Sequence, residues 1–329
     1  MKKHPFKNSN AAYKLTRRSF VEKTALAAGA ASLGLTNTIM AQPKKINLRN
    51  PLFISGSKSA FEREPLLHSY GFKGGYITRL WQVATKLNDS AGNTVIGLGV
   101  QSPLWSDSKL TSQWGESGGN SIMYNLSCRA LQMVRNETFE SPVQLLDNIL
   151  DEVHSYGTKI SNTANLRKTF ALNALVTLDN AAWLLYAKQN NITSFQEMIP
   201  PEYKKTFAHK NEEVASIPSI SYSTSSSDIR RLGEQGYFFI KIKIGSPGTQ
   251  QEMLEKDMER MELIHHNLNA GRSDLNSDKK IRYYLDANGR YEKKDTLKRL
   301  LDHCKKIKVY DQIAIIEEPF PESAEEDVS

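Results

Sequence analysis

Cysteine is scarce in this chain: 329 residues contain two, Cys128 and Cys304. That excludes a disulfide framework and a thiolate metal knuckle, both of which need several cysteines at short spacing. One bridge between the two stays open in an oxidising compartment. Cys304, however, shares a helical face with Leu297, Leu300, Leu301 and Ile307, the pattern of a buried thiol. Long apolar runs are missing too, so no stretch reads as a stop-transfer membrane span. Repeats at a fixed period are absent, which excludes solenoids and propellers. The formal net charge is +7, yet the body of the chain has little excess of either sign. Residues 1–41 hold Lys2, Lys3, Lys7, Lys14, Arg17, Arg18 and Lys23 against Glu22 alone, six of the seven charges. The near-neutral remainder offers no basic patch, so no nucleic-acid partner is expected.

The basic segment has a pattern of its own. Thr16-Arg17-Arg18-Ser19-Phe20-Val21-Glu22-Lys23 resembles a twin-arginine export signal. A weakly apolar, Ala- and Gly-rich stretch follows from Ala25 to Leu35, and small residues end at Ala41, a suitable cleavage point. The twin-arginine translocation machinery is therefore an expected partner and the periplasm the expected location. That route carries folded proteins.

Past the signal, residues 42–62 read as a linker and 63–212 as an α+β domain. Ile77, Arg79, Trp81, Val83, Thr85 and Leu87 alternate with other residues as in a strand. Asp89 to Asn93 is a turn cluster, and Thr94 to Val100 the returning strand. Residues 102–121 read as a polar Gly/Ser-rich loop holding Trp105 and Trp114. Helices are expected over Pro142–Tyr156 and Leu166–Asn190. In the second, Leu172, Leu175, Leu178, Ala182 and Leu185 fall at helical spacing. The polar stretch from Pro200 to Glu213 marks a domain boundary. Beyond it, in 213–329, strand and helix alternate: strands at 217–223, 238–244, 281–285 and 313–316, helices at 227–235, 250–268 and 296–306. A polar insertion occupies 269–280. Repeated βα units make a parallel sheet.

Three of those strands deliver charge at their C-terminal ends: Phe239-Ile240-Lys241-Ile242-Lys243-Ile244-Gly245, Tyr284-Leu285-Asp286-Ala287-Asn288-Gly289, and Ile315-Ile316-Glu317-Glu318-Pro319. Taken alone, the first is plain edge-strand amphipathicity, the second an Asx turn and the third a solvated acidic turn. Together, and in a parallel sheet whose helices cover Ile240, Ile242 and Ile244, they place Lys241 and Lys243 on the opposite face. A desolvated lysine beside a second cation has a lowered pKa and an accessible neutral form, which makes a base. Asp286 and Glu317 end adjacent strands, close enough to share one ion, and an all-oxygen set without Cys or His favours Mg²⁺.

The order Lys-x-Lys, Asp-Ala-Asn, Glu-Glu-Pro resembles the enolase superfamily, in particular its mandelate racemase and muconate-lactonising branch. The segment Leu178 to Lys188 is similar to that family's capping-domain helix, with Leu184 where the family usually has Asp and Ala187 where it has Gly. The resemblance covers roughly residues 60 to 320. It implies an α/β architecture, an α+β capping domain followed by a partial TIM-like β/α barrel. It also implies Mg²⁺ as cofactor, a small carboxylate as substrate, and removal of the proton α to that carboxylate to give a stabilised enediolate. The activity implied is that of a racemase or epimerase, or of a related cycloisomerase or dehydratase. By motif position Lys243 is the base and Lys241 its cationic neighbour, Asp286 and Glu317 are metal ligands, and Asn288 supports them. The loops at 71–75 and 102–121 fall where substrate-closing loops lie, and a homo-oligomer is in keeping with the family. A third metal carboxylate and a second acid/base are implied on later strands. The chain ends twelve residues after Glu317, so truncation after the fourth barrel strand, and inactivity of the chain alone, are expected. Two other readings are a catalytically dead barrel fragment with an unpaired edge, and a carbohydrate-active or sugar-binding barrel that uses the carboxylates as acid and nucleophile.

Overall fold

The computed structural model describes residues 49–270 and 280–321. The expected export signal, residues 42–48 of the expected linker and most of the polar insertion lie outside them. Ordered structure starts earlier than the sequence suggested. Where a linker was expected to reach residue 62, β1 runs from Leu52 to Ile54 and β2 from Gly56 to Phe72. Leu52 and Ile54 are fully buried. The strand pattern is obscured because β2 is long, largely exposed and broken by a register shift between Pro65 and Tyr70.

β2 pairs antiparallel with β3 (Gly75–Asn88), and β3 with β4 (Thr94–Gln101). β3 buries Trp81, Val83, Thr85 and Leu87, four of the six residues in the alternation read from the sequence. The turn to β4 is held by Asp89, whose carboxylate accepts from Ala91 N (3.0 Å), Asn93 N (2.8 Å) and Asn93 Nδ2 (2.7 Å). The expected loop at 102–121 is helical instead: α1 spans Pro103–Ser106 and α2 Ser108–Met133. Pro103 starts the first helix, and Asp107 caps the second by accepting from Leu110 N at 3.0 Å. Gly115, at φ 69°, breaks α2 and accounts for the loop-like composition. β5 (Glu137–Phe139) pairs with β1. α3 (Pro142–Ser161) and α4 (Lys168–Gln189) then pack on α2 around Leu126, Leu145, Phe170, Leu175, Leu178 and Leu185. Leu172, expected inside, is exposed. By length and composition α4 could cross a membrane, but most of it is buried here as the core helix of this layer.

α4 also covers the free edge of β4. Asn173, Asn180 and Lys188 donate to the carbonyls of Val100, Leu98 and Thr94 (3.3, 2.8 and 3.0 Å), a shield against pairing with another strand. The approach depends on Gly97: a methyl there would lie 2.3 Å from Thr177 O and 2.4 Å from Ala181 N, both backbone atoms of α4. Gly97→Ala is expected to destabilise by about 1–3 kcal/mol or more through overpacking. A urea midpoint equal to wild type would show that the helix has room to move away.

After α5 (Phe195–Met198) and a stretch with little regular structure come four parallel strands in sequence order. They are β6 (Ser219–Ile220), β7 (Phe239–Lys243), β8 (Arg282–Asp286) and β9 (Ile313–Glu317). β6 is shorter than expected because Ser221 N turns to the Thr224 side chain (2.9 Å) and leaves the ladder. α6 (Ser226–Glu234), α7 (Gln250–Ala270) and α8 (Lys294–Lys306) cover one face. There Ile240, Ile242 and Ile244 pack with Met253, Leu254, Met261, Leu300 and Cys304. Both cysteines are free. Burial pushes the Cys304 thiol up to about 11, which makes it an inert core group.

Candidate active site

Alternation along β7 puts the three isoleucines against the helices and both lysines on the opposite face. Register then lines up three strand ends. Lys243 is the partner of Asp286, and Asp286 the partner of Glu317. Lys241 Nζ donates to Asp286 Oδ2 at 2.7 Å and to Glu317 Oε2. Lys243 Nζ donates to the same Asp286 oxygen at 2.5 Å and to Asn288 Oδ1 at 3.0 Å. All five residues singled out in the sequence therefore meet at one place, the C-terminal edge of the parallel sheet.

Asp286 is 1% exposed, whereas the Glu317 side chain is 39% exposed and borders solvent. Burial alone would push the Asp286 carboxyl up, but the two ammonium groups outweigh it and hold it below the usual carboxylate range. Burial would likewise lower Lys241; hydrogen bonds and charge from Asp286 and Glu317 reverse that and raise it. The like-charge effect expected between the lysines is thus outweighed, for Lys241, by the carboxylates it faces.

Local structure fixes the groups. Asp286 Oδ1 accepts from Asn288 N at 3.0 Å, closing an Asx turn, and Asn288 takes φ 49°, a left-handed conformation that Asn tolerates. The Asp-Ala-Asn-Gly and Glu-Glu-Pro segments then zip together: Ala287 N to Glu317 O (3.1 Å), Gly289 N to Glu318 O (2.6 Å) and Tyr291 N to Pro319 O (3.1 Å). The tip of the β2–β3 hairpin arches over the edge, with the Phe72 ring 5.5 Å from Lys243 Nζ. Lys73 Nζ reaches Trp105 O at 2.9 Å. The segments at 71–75 and 102–121 thus do border the site, the second as helix rather than loop.

Asp257 was not found from the sequence. Buried in α7, it accepts from Gly245 N (2.7 Å), Ser246 N (3.1 Å), Ser246 Oγ (2.6 Å) and Tyr291 OH (2.7 Å). Burial pushes its carboxyl above the usual range in spite of these bonds. It ties down the turn that follows Lys243. An acid in a charged helix, Glu255-Lys256-Asp257, gives no outward sign of facing inward.

Among the described residues no three His, Cys, Asp or Glu side chains form a metal cluster. Two carboxylates do share a cation, the Lys241 ammonium, and hard oxygen donors of this kind, completed by water, fit Mg²⁺.

No protein-family model and no curated protein matches the chain. Its fold is similar to that of a dipeptide epimerase from Cytophaga hutchinsonii, solved with Mg and the dipeptide D-Ala-L-Val. The identity is 17% and the TM-score 0.50, over 82% of this chain and 60% of that one. An N-succinyl Arg/Lys racemase from Bacillus cereus gives the same figures: 17% identity, TM-score 0.50, 82% and 60%. The chain thus spans about 60% of the length of these solved structures. At this identity the likeness is one of fold. The architecture expected from the sequence, an α+β cap followed by part of a β/α barrel, is the one present.

Proposed function

We propose that this site serves Mg²⁺-assisted removal of the proton α to a carboxylate, the chemistry of racemases, epimerases and related dehydratases or cycloisomerases. The observation that carries the reading is the convergence of Lys241, Lys243, Asp286 and Glu317 on adjacent parallel strand ends. Neither an exposed acidic turn nor an amphipathic edge strand would produce it. Asp286 and Glu317 would hold the ion, which when bound would polarise the substrate carboxylate and offset the carboxylates' hold on the lysines. Lys243, held by Asn288 and facing the hairpin tip, takes the α-proton as a neutral amine while the C–H bonding pair moves toward the carboxyl group. Lys241 keeps the local field positive as negative charge develops. Mechanisms of this kind use three carboxylates and an opposing acid/base. The chain alone is therefore expected to bind Mg²⁺ weakly and not to turn over, and a polypeptide with the complete barrel to exchange α-protons. The test is incorporation of deuterium from solvent at the α-carbon of a panel of N-acyl amino acids, dipeptides, sugar acids and hydroxy acids. Exchange independent of Mg²⁺, or robust turnover by residues 42–329 alone, would displace the active site from these residues.

The same proposal places the protein in the periplasm through the twin-arginine route, supported by Arg17-Arg18 with Phe20. Replacing both arginines by lysine is expected to leave the protein in the cytoplasm. Undiminished periplasmic recovery would rule the route out.

A further inference from the structure

Lys73 is a buried cation short of partners. It sits at the tip of the β2–β3 hairpin at φ 52° and is 8% exposed. Its ammonium donates to one neutral acceptor, Trp105 O, and among the described residues it forms no ion pair with a carboxylate. An ammonium carries three N–H donors, so two are left over in a place with little access to water. Burial, and then the neighbouring Arg167 guanidinium, push its pKa below the usual lysine value, more than Glu318, Asp107 and Asp286 raise it. A buried charge in this condition is costly, and an anion is what relieves it.

The surroundings supply room for one. A cleft of about 700 Å³ runs between the cap and the loops after β7, β8 and β9, lined among others by Lys73, Lys109, Arg167, Asn288, Arg290 and Glu318. Arg290 is tied to the carbonyl oxygens of Gly245, Ser246 and Gly248, so it adds positive charge to the wall without spending it on an acid. Asn288 is the link to the reacting groups, since its Oδ1 accepts from Lys243. Asp107, Glu292 and Glu318 in the same wall limit the surplus to what a single negative charge balances.

We propose that Lys73 and this cleft bind a second, distal carboxylate of the substrate, so that the substrate class is carboxylic acids bearing another acid group. The proposal rests on the reading of Asp286 and Glu317 as the anchor for the first carboxylate. Lys73 would be a specificity residue, reaching the substrate from the cap.

The test uses the chain itself and calorimetric titration of α,ω-dicarboxylates from succinate to suberate, each against the monocarboxylate of equal length, with and without saturating Mg²⁺. At least one dicarboxylate is expected to bind about tenfold or more tighter than its monoacid, as a charge-assisted hydrogen bond implies. Lys73→Met, which keeps the shape and removes the charge, should bring the two together without lowering the melting temperature, and Lys73→Arg should keep the preference. Equal binding of diacids and monoacids at every length, or a preference that survives Lys73→Met, overturns the proposal. The two readings separate in the Mg²⁺ arm. If Mg²⁺ tightens neither series but the Lys73-dependent preference remains, the metal reading fails and the distal subsite stands. If Mg²⁺ tightens both series equally with no preference, the subsite alone fails.

Discussion

Replacing Lys243 by Ala in a polypeptide with the complete barrel is expected to lower solvent exchange of the substrate α-proton by about 10²–10⁴-fold, the usual contribution of a positioned base. The loss should be confined to the stereochemical face that this lysine serves. Mg²⁺ affinity should survive, because Asp286 and Glu317 are untouched and Asp286 keeps Lys241 at 2.7 Å as its counter-charge. For the same reason the fold should survive: one ammonium remains on the buried carboxylate, and Ile240, Ile242 and Ile244 still hold β7 in place. The measurement is proton exchange by NMR in deuterated solvent, beside a metal titration of the same preparation. Exchange at the wild-type rate would assign the base elsewhere. Loss of metal binding together with exchange would make Lys243 a structural group, not a proton acceptor.

Asp286→Asn should behave in the opposite way, losing metal and stability at once. Asp286 is the shared acceptor of both lysines, and its removal leaves two ammonium groups close together, with Glu317 still paired to Lys241. Breaking a buried ion pair from one side costs about 3–5 kcal/mol, at the lower end here because Lys241 reaches solvent. A fall in melting temperature of roughly 5–10 °C follows for a domain of this size. Glu317→Gln, at the solvent border, should lose metal with little change in stability. The pH dependence gives a second check. The folded-state pKa of Asp286 is depressed, so its stabilisation is present above the normal carboxylate range and is lost as pH falls through the depressed value. The gap between wild type and Asp286→Asn should therefore close in acid. Lys241 is raised, so its contribution is full below the ordinary lysine value and is lost only at strongly alkaline pH. Equal stability of the two proteins at neutral pH would mean that the cluster is well solvated.

The half-barrel was legible because its signals are local. Parallel strands flanked by helices alternate charged and apolar residues in a fixed phase, so the placement of Lys241 and Lys243 opposite Ile240, Ile242 and Ile244 follows from the period of a strand. Asp286 and Glu317 could be placed at strand ends because the apolar runs stop there. The cap was read less well. β2 is mostly exposed and carries a register shift, so it shows little alternation, and its first residues passed for a linker. The helices over 103–133 were hidden by Gly115, Gly118 and Gly119, although Asp107 and Pro103 are ordinary helix-start residues.

The sequence by itself determined the order of the elements, the inward face of each barrel strand and the set of charged groups that share an edge. Each of these depends on period and spacing within one segment. Only the tertiary structure decided which partner each charge takes. Strand register makes Asp286 common to both lysines, and this raises the Lys241 pKa, because the carboxylates of Asp286, at 2.7 Å, and Glu317 outweigh the burial of the ammonium. It also decided that Asp257 turns inward to hold Gly245 and Ser246, and that the hairpin tip carries Lys73 into a buried cleft with one carbonyl for company. Those contacts join residues far apart in the chain, and no local pattern records them, since electrostatic energy depends on distance and burial in the folded molecule rather than on position along the sequence.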